Sequence, residues 1–354
     1  MLAFIKSIVA AKRLLRLGGS IQGEIPVLDH YVDGQQAFIT LPTNEDTLPA
    51  GKQSMFWDSR EGHALVEPIT TDSHSVRCYR VLKQFGKEPS VGDKVWLSGW
   101  LGERPEDFGL VGVRDQKMPN GTMAYLAVAG PTWVIHVHGR NASRAETLRN
   151  FATIAALGFS QLSISLESDI PPDGLGIHRS YLGTREWTQV ESAIRYAYGN
   201  GASRIILFGF SLGAMIIGQC LQRSALGQSV AGVVFDSPLI DIESTLRLQA
   251  EKAGERPNFA SYGIRKILRS RIFRLLGLGL EYLPSLIVPL GRPALVLYSA
   301  TDGYVCMQRI PEMSGLNPQG IFINFPGGRH CRLYNQDPQR YSSALTNFLE
   351  QFGT

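Results

Sequence analysis

Cysteine is scarce in this 354-residue chain: there are four, Cys78, Cys220, Cys306 and Cys331, with no Cys-x-x-Cys or metal-type spacing among them. So few in so long a chain argues against a disulfide framework and fits a reducing cytoplasm. Long lysine or arginine runs are missing too. The 35 basic and 31 acidic residues give a formal net charge of +4 spread along the chain, so nucleic acid is not an expected partner. There is no internal repeat and no low-complexity segment.

The N-terminal stretch "MLAFIKSIVAAKRLLRLGG" lacks the features of a signal peptide. Lys6 interrupts its apolar run, positive charges lie after it as well as within it, and no small-residue cleavage site follows. It is also shorter than the roughly 20 apolar residues that span a bilayer. Residues 1–20 are therefore expected to form an amphipathic helix, packed on the body of the protein or resting peripherally on the cytoplasmic membrane through its basic face.

Length allows one large α/β domain with an extension or two smaller domains. From about residue 21 to 115 short alternating runs, "QAFITL", "HALVEPI", "VRCYRVL" and "KVWLSGW", are broken by Pro-, Gly- and Asp-containing turns, which predicts a β-rich N-terminal extension. From 116 to 354 strand and helix patterns alternate, predicting a mostly parallel central sheet flanked by helices. Expected strands are "TMAYLAV", "TWVIHVHG", "FSQLSISLE", "SRIILFGF", "VAGVVFDSP", "PALVLYSA" and "GIFINF"; helices are expected around 143–158, 184–201 and 212–227 and at the C-terminus. More than fifty residues separate Pro238 from Pro293, too many for a bare crossover, so a helical insertion is expected at about 240–290. Its basic amphipathic part fits either a cap over a pocket or a surface helix.

The strand "IILFGF" runs into Gly209-Phe210-Ser211-Leu212-Gly213 and then a helical pattern. Gly-x-Ser-x-Gly is a weak signal in a chain with 37 glycines, but a strand before and a helix after are the context of a nucleophile elbow. A serine hydroxyl needs a base and an orienting carboxylate, which on this architecture follow in the order acid, then His. His330 is the single histidine after Ser211 and lies in "PGGRHC" past the last expected strand. For the acid, Asp302 in "TDGY" is favoured, with Asp236 at the end of "VVFD" as the alternative; Asp236 would otherwise cap the following segment. Backbone N–H groups of Leu212 and of Arg140, after "HVHG", are the expected oxyanion donors. Such chemistry needs no metal or organic cofactor. Cys306 and Cys331, near Asp302 and His330 in sequence, are expected close to the pocket.

"HVHGR", "YLGTREWTQVESAIRYA", "GFSLGA", "VVFDSP" and "H-x-x-x-YN-x-DP-x-x-Y" resemble a group of bacterial α/β-hydrolases with a β-rich N-terminal extension, some labelled esterase or lysophospholipase. The resemblance runs from about residue 27 to the end. It implies a serine hydrolase of a carboxylic ester, small or lipid-like, with Ser211, Asp302 and His330 as nucleophile, acid and base. This chain departs from the group after "SISL", where Glu167 and Ser168 precede Asp169, which affects the substrate preference carried over rather than the triad. A peptidase, thioesterase or acyltransferase would use the same residues; a catalytically silent binding protein on the same fold is the reading of another class.

Overall fold

The computed structural model describes residues 24–58, 61–69, 74–169, 171–176, 180–252 and 284–353, with isolated positions between 254 and 271. The expected N-terminal helix and most of the basic part of the insertion lie outside the described residues.

The chain folds into two sheets. The first holds β1 (Ile25–Pro26), β2 (Asp29–Asp33), β3 (Gln36–Pro42), β4 (Gln53–Trp57), β5 (Gly62–Pro68), β6 (Val76–Gly86) and β7 (Lys94–Ser98), in the order β1-β7-β4-β5-β6-β3-β2. Every pairing is antiparallel. Its two edges, β1 and β2, are consecutive in sequence: Val27 N–H bonds Asp93 on one side and Leu28 N–H bonds Thr40 on the other. That single segment closes the sheet into a small barrel, which leaves little free edge. Alternate residues fill it, among them Ile39, Leu41, Met55, Trp57, Val66, Tyr79 and Val95.

The second sheet holds β8 (Arg114–Lys117), β9 (Met123–Ala127), β10 (Thr132–Val137), β11 (Ser160–Ile164), β12 (Arg204–Phe210), β13 (Gly232–Asp236), β14 (Ala294–Tyr298) and β15 (Ile321–Asn324). Its order is β15-β14-β13-β12-β10-β11-β9-β8, parallel from β15 to β11 and antiparallel at β9 and β8. The central strands are mostly apolar, as strands covered on both faces tend to be, with His136 on β10 and Gln161 and Ser163 on β11 among the buried polar exceptions. On one face pack α2 (Trp187–Gly199) and α3 (Leu212–Arg223); on the other pack α1 (Phe151–Ala155) and α5 (Pro338–Leu349), so the sheet separates two apolar clusters. Between β13 and β14 the insertion begins with α4 (Ile242–Lys252). Among the described residues, no helix is long and apolar enough to cross a membrane.

Two departures from the expected elements have local causes. Residues Arg144–Asn150 form a 3-10 helix ahead of α1 rather than one α-helix over 143–158. The Arg144 carbonyl, which an α-helix would offer to Leu148, is taken by the hydroxyls of Thr147 and Ser163 at 3.1 and 3.0 Å. Strand β4 lacks polar alternation because both its faces are buried: Met55 and Trp57 point into the barrel, while Ser54 and Phe56 are covered from outside.

Candidate active site

Ser211 leaves β12 with φ 48° and ψ −112°, a region that a non-glycine residue occupies at a cost of about 1–3 kcal/mol. Its surroundings explain both flanking glycines. A Cβ on Gly209 would lie 2.6 Å from Ala214 N, and one on Gly213 would collide with the carbonyl oxygens of Val137 and His138. Strand and helix can approach this closely only if both positions lack side chains. The backbone is pinned by Ser211 N–H to Asp236 O at 3.0 Å and Leu239 N–H to Ser211 O at 3.0 Å.

His330 follows β15 in a loop that reaches back over the sheet. Its Nε2 lies 2.8 Å from Ser211 Oγ, and its Nδ1 lies 2.7 Å from Asp302 Oδ2. Asp302 sits in the turn after β14, where its other oxygen accepts the N–H groups of Tyr304 (2.7 Å) and Val305 (3.0 Å). Burial alone would raise the Asp302 pKa, but the His330 charge, the His330 hydrogen bond and the two N–H donors hold it below the ordinary carboxylate value. For His330 burial acts downward; the Asp302 carboxylate outweighs it and holds the ring well above the usual imidazole value.

Asp236, the alternative acid, does not meet His330. Nor is its side chain a simple helix cap: it accepts from Tyr341 Oη at 2.8 Å and Ser237 Oγ at 2.8 Å and faces Arg149 at 3.6 Å. Ser237 Oγ also accepts the N–H of Cys331 at 3.0 Å, so this buried network supports the loop carrying His330.

Leu212 opens α3 immediately after Ser211, and Arg140 follows β10 at the edge of the same cleft. The carbonyl between Gly139 and Arg140 accepts His138 Nδ1–H at 2.8 Å, so in a trans peptide the Arg140 N–H points away from the His138 ring. The other nitrogen of His138 meets Asp169 Oδ2 at 2.9 Å. With acceptors at both nitrogens the ring carries both protons. Although burial disfavours the charge, Asp169 and the Gly139 carbonyl raise the His138 pKa from 6.5 to about 9. The Gly139 N–H is held by Glu146 Oε2 at 2.9 Å. Glu146 carries no motif that names it, and Asp169 stands out only as the aspartate that follows the departure from the group's pattern; their roles emerge from the packing of the loop after β11 and the 3-10 helix beneath the loop at Gly139.

The barrel reaches this centre. A cleft of about 140 Å³ lies over Ser211 and His330, walled on the barrel side by Phe56, Trp96 and Trp100 and on the other by Arg140, Glu146 and Tyr304. Cys331 lines it and Cys306 does not, which corrects the expectation that both thiols sit there; burial pushes the Cys331 thiol up to about 11. The His330 loop is gripped from the same side. Arg149 Nη1 donates to Gly99 O and Cys331 O, each at 2.9 Å. Asn335 Nδ2 donates to Lys52 O at 2.6 Å.

The strand order and the strained serine between β12 and α3 define an α/β-hydrolase fold. The chain is similar to the Pyrococcus furiosus esterase Pf2001 in two crystal forms. One gives a TM-score of 0.54 with 17% identity, covering 72% of this chain and 95% of that one; the other gives 0.53 with 17% identity and coverage of 72% and 97%. The esterase RhEst1 of a Rhodococcus species gives 0.48 at 20% identity, covering 69% of this chain and 100% of that one. Pf2001 is thus matched almost end to end while more than a quarter of this chain has no counterpart in it. No protein-family model and no curated protein matches the sequence.

Proposed function

We propose that the chain is a serine hydrolase that cleaves a carboxylic ester through an acyl-enzyme. The observation that carries this reading is the continuous relay from Ser211 Oγ through His330 to Asp302, at 2.8 and 2.7 Å, starting on a strained turn. Ser211 Oγ attacks the ester carbonyl carbon while His330 Nε2 takes its proton. The oxygen of the tetrahedral intermediate gains negative charge and is held by the N–H groups of Leu212 and Arg140. Collapse breaks the bond to the alcohol, which leaves with the proton from His330. Water then attacks the acyl-serine by the same route and releases the acid and the free serine. Asp302 fixes the ring and stabilises its cationic form. The likeness in fold to esterases supports the reaction class, and the acid at position 302 rests on its bond to His330 Nδ1.

Labelling with a fluorophosphonate tests the reading. Wild type should label, and Ser211→Ala and His330→Ala should not. A folded wild type that stays unlabelled, and hydrolyses no simple ester, would leave the binding-protein reading in its place.

A further inference from the structure

The barrel carries a row of rings that the relay does not use. Phe85 on β6, His63 on β5, Phe56 on β4 and Trp96 on β7 are direct cross-strand partners. Their planes stay within 12°, 16° and 20° of one another step by step, with centroids 4.7, 4.2 and 5.1 Å apart. The rings therefore stand stacked across four strands, on the outer face of the barrel. Trp100 meets Phe56 edge-on at 5.7 Å and 88°. Beyond β7 the next strand is β1, where Ile25 faces Val95 and Pro26 faces Lys94. That register sets Glu24, not a ring, across from Trp96. The stack thus ends at Trp96, at the cleft over Ser211 and His330.

Size limits what can continue it. The cleft of about 140 Å³ compares with the roughly 150 Å³ apolar cavity that holds one benzene molecule. It has room for a single ring. A flat ring gains from stacked and edge-on aromatic neighbours in a way that an alkyl group of equal area does not.

Taking Ser211 as the nucleophile, we propose that Trp96 and Trp100 form the subsite that determines specificity and that the ester selected carries an aryl group. The ring lies in the cleft against Trp96, with Trp100 as its side wall and the ester carbonyl over Ser211. The barrel is then part of the substrate site rather than an appendage to it.

The test compares kcat/KM on methyl phenylacetate, phenyl acetate, methyl butyrate and methyl dodecanoate for wild type, Trp96→Leu, Trp96→Phe and Trp100→Leu. Active sites are first counted with a fluorophosphonate, so that a misfolded fraction does not enter the ratio. Wild type should prefer at least one aryl ester to methyl butyrate by about tenfold, the upper range of a stacked aromatic pair. Trp96→Leu and Trp100→Leu should fall further on the aryl ester than on methyl butyrate and so lose most of that preference, and Trp96→Phe should keep it. Wild type with no aryl preference, or with a preference for dodecanoate, overturns the subsite. So does an equal loss on all four esters in variants that still label. Failure of wild type to label overturns the nucleophile itself and the subsite with it, so the two failures are told apart.

Discussion

Arg332 Nη2 donates to Asp46 Oδ1 at 2.7 Å, and this bond ties the barrel to the residue two places after His330. The same carboxylate oxygen accepts from Arg329 at 3.2 Å, and the Asp46 carbonyl accepts Arg332 Nη1 at 2.9 Å. Arg332 is buried, whereas the Asp46 side chain is 34% exposed, so the pair is partly screened. Asp46→Ala should cost about 2 kcal/mol, the scale of a charge-assisted hydrogen bond. It should also lower kcat more than it raises KM, because the base is displaced while the cleft wall stays. Thermal unfolding with ester kinetics checks this; unchanged values in both would remove the clamp from the account.

The pH profile should identify the acid. Protonated His330 cannot take a proton from Ser211, so activity falls as pH drops through its pKa, which Asp302 holds well above the usual value. The acidic limb of kcat/KM should therefore lie above the ordinary histidine range. Asp302→Asn should move that limb to lower pH and reduce kcat by about 10⁴-fold, as loss of the carboxylate does in such triads. Asp236→Asn should leave the limb in place and lower the melting temperature instead.

A second titration concerns stability. The folded His138 pKa is about 9 against 6.5 for the free side chain, so the charged form is favoured by folding. Its contribution is complete below about 6.5 and is lost as pH rises through about 9. The melting temperature of wild type should fall between pH 7 and 10 by more than that of His138→Gln, which has no charge to lose. Parallel curves for the two proteins would contradict the linkage.

The elbow glycines should differ from the glycine of the facing loop. Gly213→Ala drives a Cβ into the carbonyl oxygens of Val137 and His138, so little folded, labelling protein is expected. In Gly139→Ala the new Cβ would lie 3.3 Å from Ser211 Cβ and 3.5 Å from Glu146 Oε2. That variant should fold, keep its circular dichroism spectrum and react more slowly with both ester and fluorophosphonate.

The features that were legible in the sequence are those carried by local pattern. The Gly-x-Ser-x-Gly turn lies between a strand and a helix, and "ALVLYSATDG" reads as a strand into a turn, so the placement of Ser211 and Asp302 follows from short segments. Strand β8 did not show because "RDQK" is a charged edge strand with no apolar residue to set a period. Strand β4 did not show for the opposite reason, since "QSMFW" is buried on both faces. The Asp46–Arg332 bond joins positions 286 residues apart, and the row from Phe85 to Trp96 exists only once four strands are in register. Long-range pairing of this kind leaves no mark within a sequence window.

Arg149 sends one nitrogen to the carbonyls of Gly99, at the end of the barrel, and Cys331, next to His330. Its guanidinium is fully enclosed beside the Asp236 carboxylate, so detaching the barrel leaves a buried cation short of one acceptor, which costs about 1–3 kcal/mol. The barrel cannot detach while the α/β lobe stays intact without meeting that penalty. The two sheets should therefore unfold in one calorimetric transition, and the hydrolase half expressed without the barrel should not form a stable module.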